Sequence, residues 1–301
     1  MNEIRTNGNL HRYAVFTACA TLLLLVAGAL VTSNDAGLSI PDWPLAFGTL
    51  TPPMVGGIRY EFTHRVIATL VGMLTIGLAI WLWRAEKRRW MRWLGIAALG
   101  GVIAQGLLGA ATVKMFQPPP VSAAHATLAQ LFFSTVVAIA LFTSRWWQNS
   151  LAELEDTGSP RVQTLANWTV VAVFLQLVLG AAFRHKAFGI IPHLIGAVIV
   201  TGMIFWTAGT LKRRFPRSKP LRNCATLLHA LIGVQLLLGA GAWWSRIYAA
   251  QFPQPVEPTV ALTVIHTVTG ALVLAVALLT SLISYRLLRA GARASLAQQL
   301  A

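Results

Sequence analysis

Long apolar runs, separated by short polar connections, dominate the pattern of hydrophobic and polar positions along this chain. Eight of these runs reach the roughly 20 residues with which a helix crosses the hydrocarbon core of a bilayer. Each run is predicted to be a helix, because backbone N–H and C=O groups in hydrocarbon must bond within their own segment. The predicted spans are residues 13–32, 62–83, 91–113, 122–143, 163–183, 190–211, 224–244 and 260–285. The pattern therefore predicts an all-α polytopic membrane protein.

Composition and charge agree with this fold class and orient the chain. The sequence is 56% hydrophobic and 11% charged, whereas a soluble domain carries about 25% charged residues. The net charge of +15 resides mainly in short connections between spans, which argues against nucleic acid as a partner. Basic connections stay on the cytoplasmic side, so we expect both termini to be cytoplasmic at the plasma membrane. The outer segments then hold six of the Lys and Arg residues, namely Arg59, Arg65, Lys114, Arg184, Lys186 and Arg246.

Similar small-residue segments recur along the chain. They end the third, fifth and seventh spans as Gln105–Ala111, Gln176–Ala182 and Gln235–Gly241. A looser version, Val26–Ala29, ends the first span. Small residues let helices approach closely in lipid, and their recurrence indicates an internal repeat. With the acidic connection at 153–156 as the midpoint, we expect two pseudo-symmetric four-helix bundles, residues 1–150 and 151–301.

Four histidines occupy equivalent places near the start of every second span. They are His64, His125, His193 and His266. On the predicted orientation they lie near the outer face, two in each half. A lone histidine at a helix end is usually an interfacial polar residue, but four at one depth favour a ligand role. Two imidazoles between facing helices suit the axial positions of a haem iron, whereas zinc sites usually include cysteines or carboxylates. The other histidines, which do not share this position, are His11, His185 and His229.

The first histidine pair differs from the second in its surroundings. Glu61 precedes His64 by three residues, so the two share a helix face, whereas Ile190 holds the corresponding place before His193. The first outer connection, residues 33–61, is long, and its counterpart at 184–189 is short. Long loops inside compact domains are usually functional. The asymmetry predicts chemistry in the first half and a permanently bound haem in the second.

Glu61 is hypothesised to be a general acid or base, or a proton donor during oxygen chemistry. The alternative is a structural ion pair with Arg65 or Arg59. The sequence leaves both readings open.

Several stretches resemble the haem A synthase family. They are Gly37–Leu45 (GLSIPDWPL), Glu61–Arg65 (EFTHR), and the contexts Ala-Ala-His125, Pro192-His193 and Ile265-His266. The resemblance extends over essentially the whole chain and implies eight spans in two pseudo-symmetric halves. It also implies oxidation of the C8 methyl of haem O to the formyl of haem A by successive hydroxylations, with haem b as cofactor.

By position, the resemblance implies a role for each site residue. Glu61 corresponds to the essential carboxylate, His64 and His125 bind the substrate haem, and His193 and His266 hold haem b. All four histidines are thus expected to ligate iron.

The first outer connection departs from the family pattern at two positions. Ile40 and Ala46 stand where many bacterial members have a cysteine pair, so we expect prolines and packing to order this loop.

The expected partners are haem O, an external electron donor and haem O synthase. The donor is expected to be external because the sequence has no flavin or nicotinamide fingerprint and no iron–sulfur cysteine set. The oligomeric state is left open.

The main competing function is a di-haem b-type membrane electron carrier, which would hold two permanent haems and not require Glu61. A transporter would need broken helices and midplane polar groups. A prenyltransferase would need paired Asp-rich motifs.

Overall fold

The computed structural model describes residues 8–149 and 153–290. The described elements, in chain order, are α1 Gly8–Ser33, α2 Ile58–Ala85, α3 Arg89–Lys114, α4 Pro119–Thr143, α5 Arg145–Gln148, β1 Leu154–Asp156, α6 Val162–Arg184, α7 Ile191–Arg214, α8 Lys219–Ala249, α9 Glu257–Leu287 and β2 Leu288–Ala290. The eight long helices among them are long and apolar enough to cross a membrane. The predicted all-α polytopic membrane fold is confirmed, and the predicted span ends lie within five residues of the helix ends.

The long helices pack as two groups of four. Within α1–α4, each helix contacts the next and α4 returns to contact α1; α6–α9 follow the same order. The two groups meet through α1, α4, α6 and α9. In the most apolar window of each helix, 50% of α4 and 44% of α9 is buried, against 17% of α3. The junction therefore encloses α4 and α9, while α3 leaves most of its surface for lipid. The pseudo-symmetry of the groups stays a prediction, and their predicted boundary at residues 150 and 151 lies outside the described residues.

Each group has its own hydrophobic core, and a smaller cluster fills the junction between them. The junction cluster joins Leu25 of α1 and Phe133 of α4 to Ala271 and Ala275 of α9. The alanines let α9 approach the first group closely, as small residues do at helix interfaces in lipid. This close approach fixes the ends of the two groups relative to each other.

Short connections join helices that pack side by side, so consecutive long helices run antiparallel. As a result α1, α3, α6 and α8 end where α2, α4, α7 and α9 begin. We call this the histidine end, because the second set of helices carries the four histidines near their starts. The longest described connection at this end is loop 1, residues 34–57.

At the opposite end, the connection between the groups is more ordered than the sequence indicated. Its strand β1 pairs in parallel with β2, with Leu154 opposite Leu288. Asp156 is only 2% exposed. Its carboxylate accepts hydrogen bonds from the backbone N–H of Gly158 at 3.2 Å and of Val162 at 2.7 Å, and from Arg214 Nη1 at 3.2 Å. One carboxylate thus holds the start of α6 against the end of α7.

Asp156→Ala is expected to lower the free energy of unfolding by about 1–3 kcal/mol, because it leaves buried donors without an acceptor. The matched control is Glu155→Ala. Glu155 is half exposed and pairs with Arg289, which is 59% exposed, so its loss should stay within about 0.5 kcal/mol. Thermal unfolding of both variants in detergent checks this. Equal stability of the two variants would contradict the role given to Asp156.

Candidate functional site

The four histidines all lie near the starts of their helices, at the histidine end of the bundle. His64 is in α2, His125 in α4, His193 in α7 and His266 in α9. All four side chains are half-buried. Their depth near the outer face of the membrane stays a prediction. Within residues 8–149 and 153–290, no cluster of three or more His, Cys, Asp or Glu side chains is arranged to hold a bare metal ion.

The two imidazole rings of the second pair lie close together. The ring centroids of His193 and His266 are 6.4 Å apart, and their planes are nearly perpendicular at 84°. Two metal–nitrogen bonds of about 2.0–2.1 Å each, plus the short distance from each nitrogen to its own centroid, come to about this length. The separation of the rings is therefore compatible with an iron atom between them.

The first pair lies between α2 and α4 and has a third histidine nearby. His64 and His125 are close enough for their charged forms to repel each other. Burial, with contributions from Arg184 and His125, lowers the pKa of His185 to about 4. His185 follows the end of α6, so the second helix group reaches the surroundings of the first pair. The sequence pattern placed His185 in a connection and missed this proximity, which depends on how the groups pack.

Glu61 is buried at the start of α2 and both of its carboxylate oxygens are engaged. It is 4% exposed. Oε1 accepts a hydrogen bond from Arg65 Nη2 at 2.6 Å, and Oε2 accepts one from the backbone N–H of Ile40 at 2.9 Å. The spacing of four residues lets the two charged side chains meet on one helix face. The structure thus includes the ion pair with Arg65 that the sequence offered as the alternative, whereas a role in catalysis stays a prediction.

Arg65 connects this ion pair to loop 1. Its Nη1 donates to the carbonyl oxygens of Asp42 at 2.8 Å and Leu45 at 2.9 Å. Its Nη2 also donates to the carbonyl oxygen of Ile40 at 3.3 Å. The planar guanidinium presents several donors in a fixed arrangement, so a single side chain holds residues 40–45 over the start of α2.

The Asp42 side chain forms a second ordered turn within loop 1. Its Oδ2 accepts the backbone N–H of Gly48 at 2.8 Å, and its Oδ1 accepts that of Phe47 at 2.7 Å. Hydrogen bonds from these N–H groups, Gly48 foremost, lower the pKa of Asp42 below its ordinary value. Gly48 has a φ of +70°, a conformation that glycine adopts without steric cost. The carboxylate therefore stays charged and keeps the turn closed at neutral pH.

Loop 1 also reaches the helices of the other histidine. Gly37 lies directly against the side chain of Gln117, which precedes α4. Lys114 Nζ, at the end of α3, lies 6.0 Å from the centroid of the Trp43 ring. Loop 1 thus contacts both α2 and the connection into α4, the helices that carry His64 and His125.

Ile40 and Ala46, the two positions at which loop 1 departs from the pattern expected from the resemblance, are 0% and 1% exposed. The expectation that prolines and packing order loop 1 was therefore incomplete. Packing contributes, but the hydrogen bonds of Arg65 and Asp42 also hold the loop.

Arg184 holds the end of α6 against the end of α1. Its Nη2 donates to the carbonyl oxygen of Thr32 at 2.9 Å and lies 3.3 Å from Ser33 Oγ. This contact joins the two helix groups at the histidine end and brings the adjacent His185 toward the first pair.

Part of the chain matches a family of known proteins. Residues 58–191 match the COX15-CtaA family, described as cytochrome oxidase assembly protein. The matched region runs from the first residue of α2 to the first residue of α7. It therefore includes Glu61, His64, Arg65 and His125 and ends just before His193.

Individual relatives extend the similarity over most of the chain. The heme A synthase of Shouchella clausii is 30% identical over 263 residues, which are 74% of this chain and 83% of that protein. That of Symbiobacterium thermophilum is 29% identical over 252 residues, 73% of this chain and 80% of that protein. That of Alkalihalophilus pseudofirmus is 37% identical over 133 residues, 43% of this chain and 44% of that protein. The chain belongs to the haem A synthase family of cytochrome oxidase assembly proteins.

Proposed function

We propose that this membrane oxidoreductase oxidises the C8 methyl of haem O to the formyl of haem A. The single observation that carries this proposal is the difference between the two histidine pairs. The first has a buried carboxylate, Glu61, one turn from His64, beneath a loop that Arg65 holds in place. At the second pair, Ile190 stands where the first has this carboxylate. A protein that only carried electrons would have no use for this difference.

His193 and His266 are proposed to hold a resident haem b. The support is their separation of 6.4 Å and the perpendicular rings. When bound, this haem would supply reversible one-electron chemistry. The contribution of the protein would be to hold the two imidazoles close together, one on α7 and one on α9, so that the ligand set does not rearrange when the charge changes.

His64 and His125 are proposed to bind the substrate haem, with Glu61 as the residue that handles protons. Glu61 shares a helix face with His64, because three residues separate them. At 4% exposure it has little contact with water. Arg65 and the N–H of Ile40 hold its carboxylate in place through hydrogen bonds. Loop 1 would exclude water from the substrate and keep these groups in register.

Two successive hydroxylations convert the methyl to a geminal diol, which loses water to give the formyl. When dioxygen is the oxygen source, each hydroxylation takes two electrons from an external donor, and these reduce the second oxygen atom to water. Haem O synthase is the proposed supplier of the substrate. We also propose that the chain lies in the plasma membrane with both termini cytoplasmic and the histidine end outside. The support is the clustering of Lys and Arg in the connections at the opposite end, residues 84–92 and 212–222, as the positive-inside rule requires.

Single substitutions in each histidine pair should show which pair binds which haem. His193→Ala or His266→Ala is expected to lose haem b, whereas His64→Ala or His125→Ala should retain haem b and lose bound haem O and haem A. The measurement is chromatography of haems extracted from purified protein, with His229→Ala as the control outside both pairs. A His193→Ala protein with its full content of haem b would contradict the assignment.

Glu61→Gln is expected to reduce the haem A formed per bound haem b by about 100-fold or more, the contribution typical of a positioned acid or base. The amide keeps the size of the side chain and an acceptor for Ile40, but it does not exchange a proton. Glu257→Gln is the matched control, because Glu257 is the exposed acidic residue in the first turn of α9. Amide hydrogen exchange at Phe47 and Gly48 checks that loop 1 stays ordered. Full turnover by Glu61→Gln, with an ordered loop, would refute the catalytic role.

A further inference from the structure

The structure assigns a positioning role to a glycine opposite each of the four histidines, and to a glutamine one turn before three of these glycines. This inference rests on the proposed function in that the histidines are taken to bind haem. It concerns residues that the sequence interpreted as helix packing. The glycine–histidine pairs are Gly28 with His64, Gly109 with His125, Gly180 with His193, and Gly239 with His266.

Each glycine lies directly against the ring of its histidine. A Cβ atom on Gly239 would lie 2.9 Å from His266 Cε1, and one on Gly180 would lie 3.0 Å from His193 Cε1. The corresponding distances are 3.1 Å at Gly28 and 3.3 Å at Gly109. All four are shorter than ordinary van der Waals contact between carbons. The ring thus occupies the space that the side chain of any other residue would need.

The four rings also present the same edge to their glycines. In every pair the atom nearest the Cβ position is Cε1, followed by Nδ1 and then Nε2. At Gly180, for example, the three distances are 3.0, 3.3 and 3.9 Å. Nε2 is therefore the ring nitrogen turned furthest from the glycine in all four pairs. Unrelated packing at four separate helix contacts would not produce one shared ring orientation.

The missing Cβ also opens the main chain of the glycine-bearing helix to the ring. In an α-helix the carbonyl of residue i lies beside residue i+4. Each ring lies near the main chain of the residue four positions before its glycine, namely Leu24, Gln105, Gln176 and Gln235. Among the described residues, Nδ1 of His64, His125 and His266 has no hydrogen-bond partner. A hydrogen bond from Nδ1–H to a nearby carbonyl, formed when the ring turns to bind a metal, would fix the tautomer in which Nε2 is free.

The glutamine side chains add a second contact. Gln176 Nε2 donates to the carbonyl oxygen of His193 at 2.8 Å and lies 3.0 Å from its Nδ1. Its amide oxygen lies directly over Gly196, one turn further along α7. The amide thus fits between α6 and α7 only because glycine is present there. Gln176 holds both the ring and the backbone of His193.

The other two glutamines occupy similar positions. Gln105 Nε2 donates to the carbonyl oxygen of His125 at 3.0 Å. Gln235 Nε2 lies 3.4 Å from Nε2 of His266, the ring nitrogen that would bind iron, so this contact would have to open when the ligand bond forms. A Cβ on Gly270 would lie 3.3 Å from that amide nitrogen. Both ligands of the proposed haem b therefore have a glutamine beside them, whereas the position before Gly28 is Leu24.

An alanine at these glycines would affect the liganded state more than the fold. Without iron, the imidazole can turn about its side-chain bonds and relieve the contact with a new methyl group. A ring bound to iron has lost that freedom, so the methyl group must weaken the iron–nitrogen bond or tilt the ring. Changes to residues that orient metal ligands typically weaken metal binding by 10–100-fold.

Gly239→Ala is the first test, and Gly233→Ala on the same helix is its matched control. No atom lies within 4 Å of a Cβ at Gly233, so both variants share the change in helix propensity and only one meets a histidine. Gly239→Ala is expected to release haem b about tenfold faster than Gly233→Ala on dilution in detergent. It should also show an altered electron paramagnetic resonance signal of the bis-imidazole haem. Equal release rates and identical spectra in the two variants would overturn the inference.

Gln176→Leu provides the second variant, which keeps Gly180 and removes the amide that contacts Nδ1 and the carbonyl oxygen of His193. It too is expected to release haem b about tenfold faster, and it decides the question if Gly239→Ala does not accumulate. An unchanged release rate and spectrum would count against the inference. The His266→Ala variant distinguishes a failure of the positioning role from a failure of the proposed function. If that variant retains haem b, the haem site itself is wrong, whereas loss of haem b in His266→Ala with normal binding in the other two variants rejects only the positioning role.

Discussion

The buried ion pair between Glu61 and Arg65 is the contact on which the histidine end of this protein depends. A carboxylate at 4% exposure requires a partner, and Arg65 supplies it at 2.6 Å. Removing one member of a buried pair leaves the other charge uncompensated, at a cost of several kcal/mol. Since Arg65 also binds three carbonyls of loop 1, the carboxylate, the start of α2 and the loop form one unit. Glu61 therefore has a structural role whatever it does in catalysis.

This unit explains how two similar imidazole pairs can do different work. His193 and His266 lie between helices whose glycines and glutamines constrain both rings, which suits a cofactor that remains bound. His64 has its glycine but Leu24 in place of a glutamine, and it has Glu61 one turn away under the loop. A substrate must enter and leave, so fewer fixed contacts and an adjacent proton-handling group are the properties expected of its site. Arg184 joins the two groups at this end.

The sequence was sufficient to predict the helices and the places of the four histidines near the starts of their helices. Both follow from local properties of the chain, the long apolar runs and the position of each histidine within its run. It placed Glu61 and His64 on one face for the same reason. It missed the parallel pairing of Leu154 with Leu288 and the proximity of His185 to His125, since these depend on how distant segments pack. The Gln-Gly segments were visible as a repeat, but a repeat of small residues does not reveal that a histidine ring occupies the space beside each glycine.

The most direct test is to express the wild-type protein in a host that makes haem O, to purify it, and to identify the haems extracted from it. The account predicts haem b together with haem A or a mixture of haem O and haem A. Two equivalents of haem b and no haem A, in folded protein from a host that contains haem O, would contradict it. That result would indicate a membrane electron carrier.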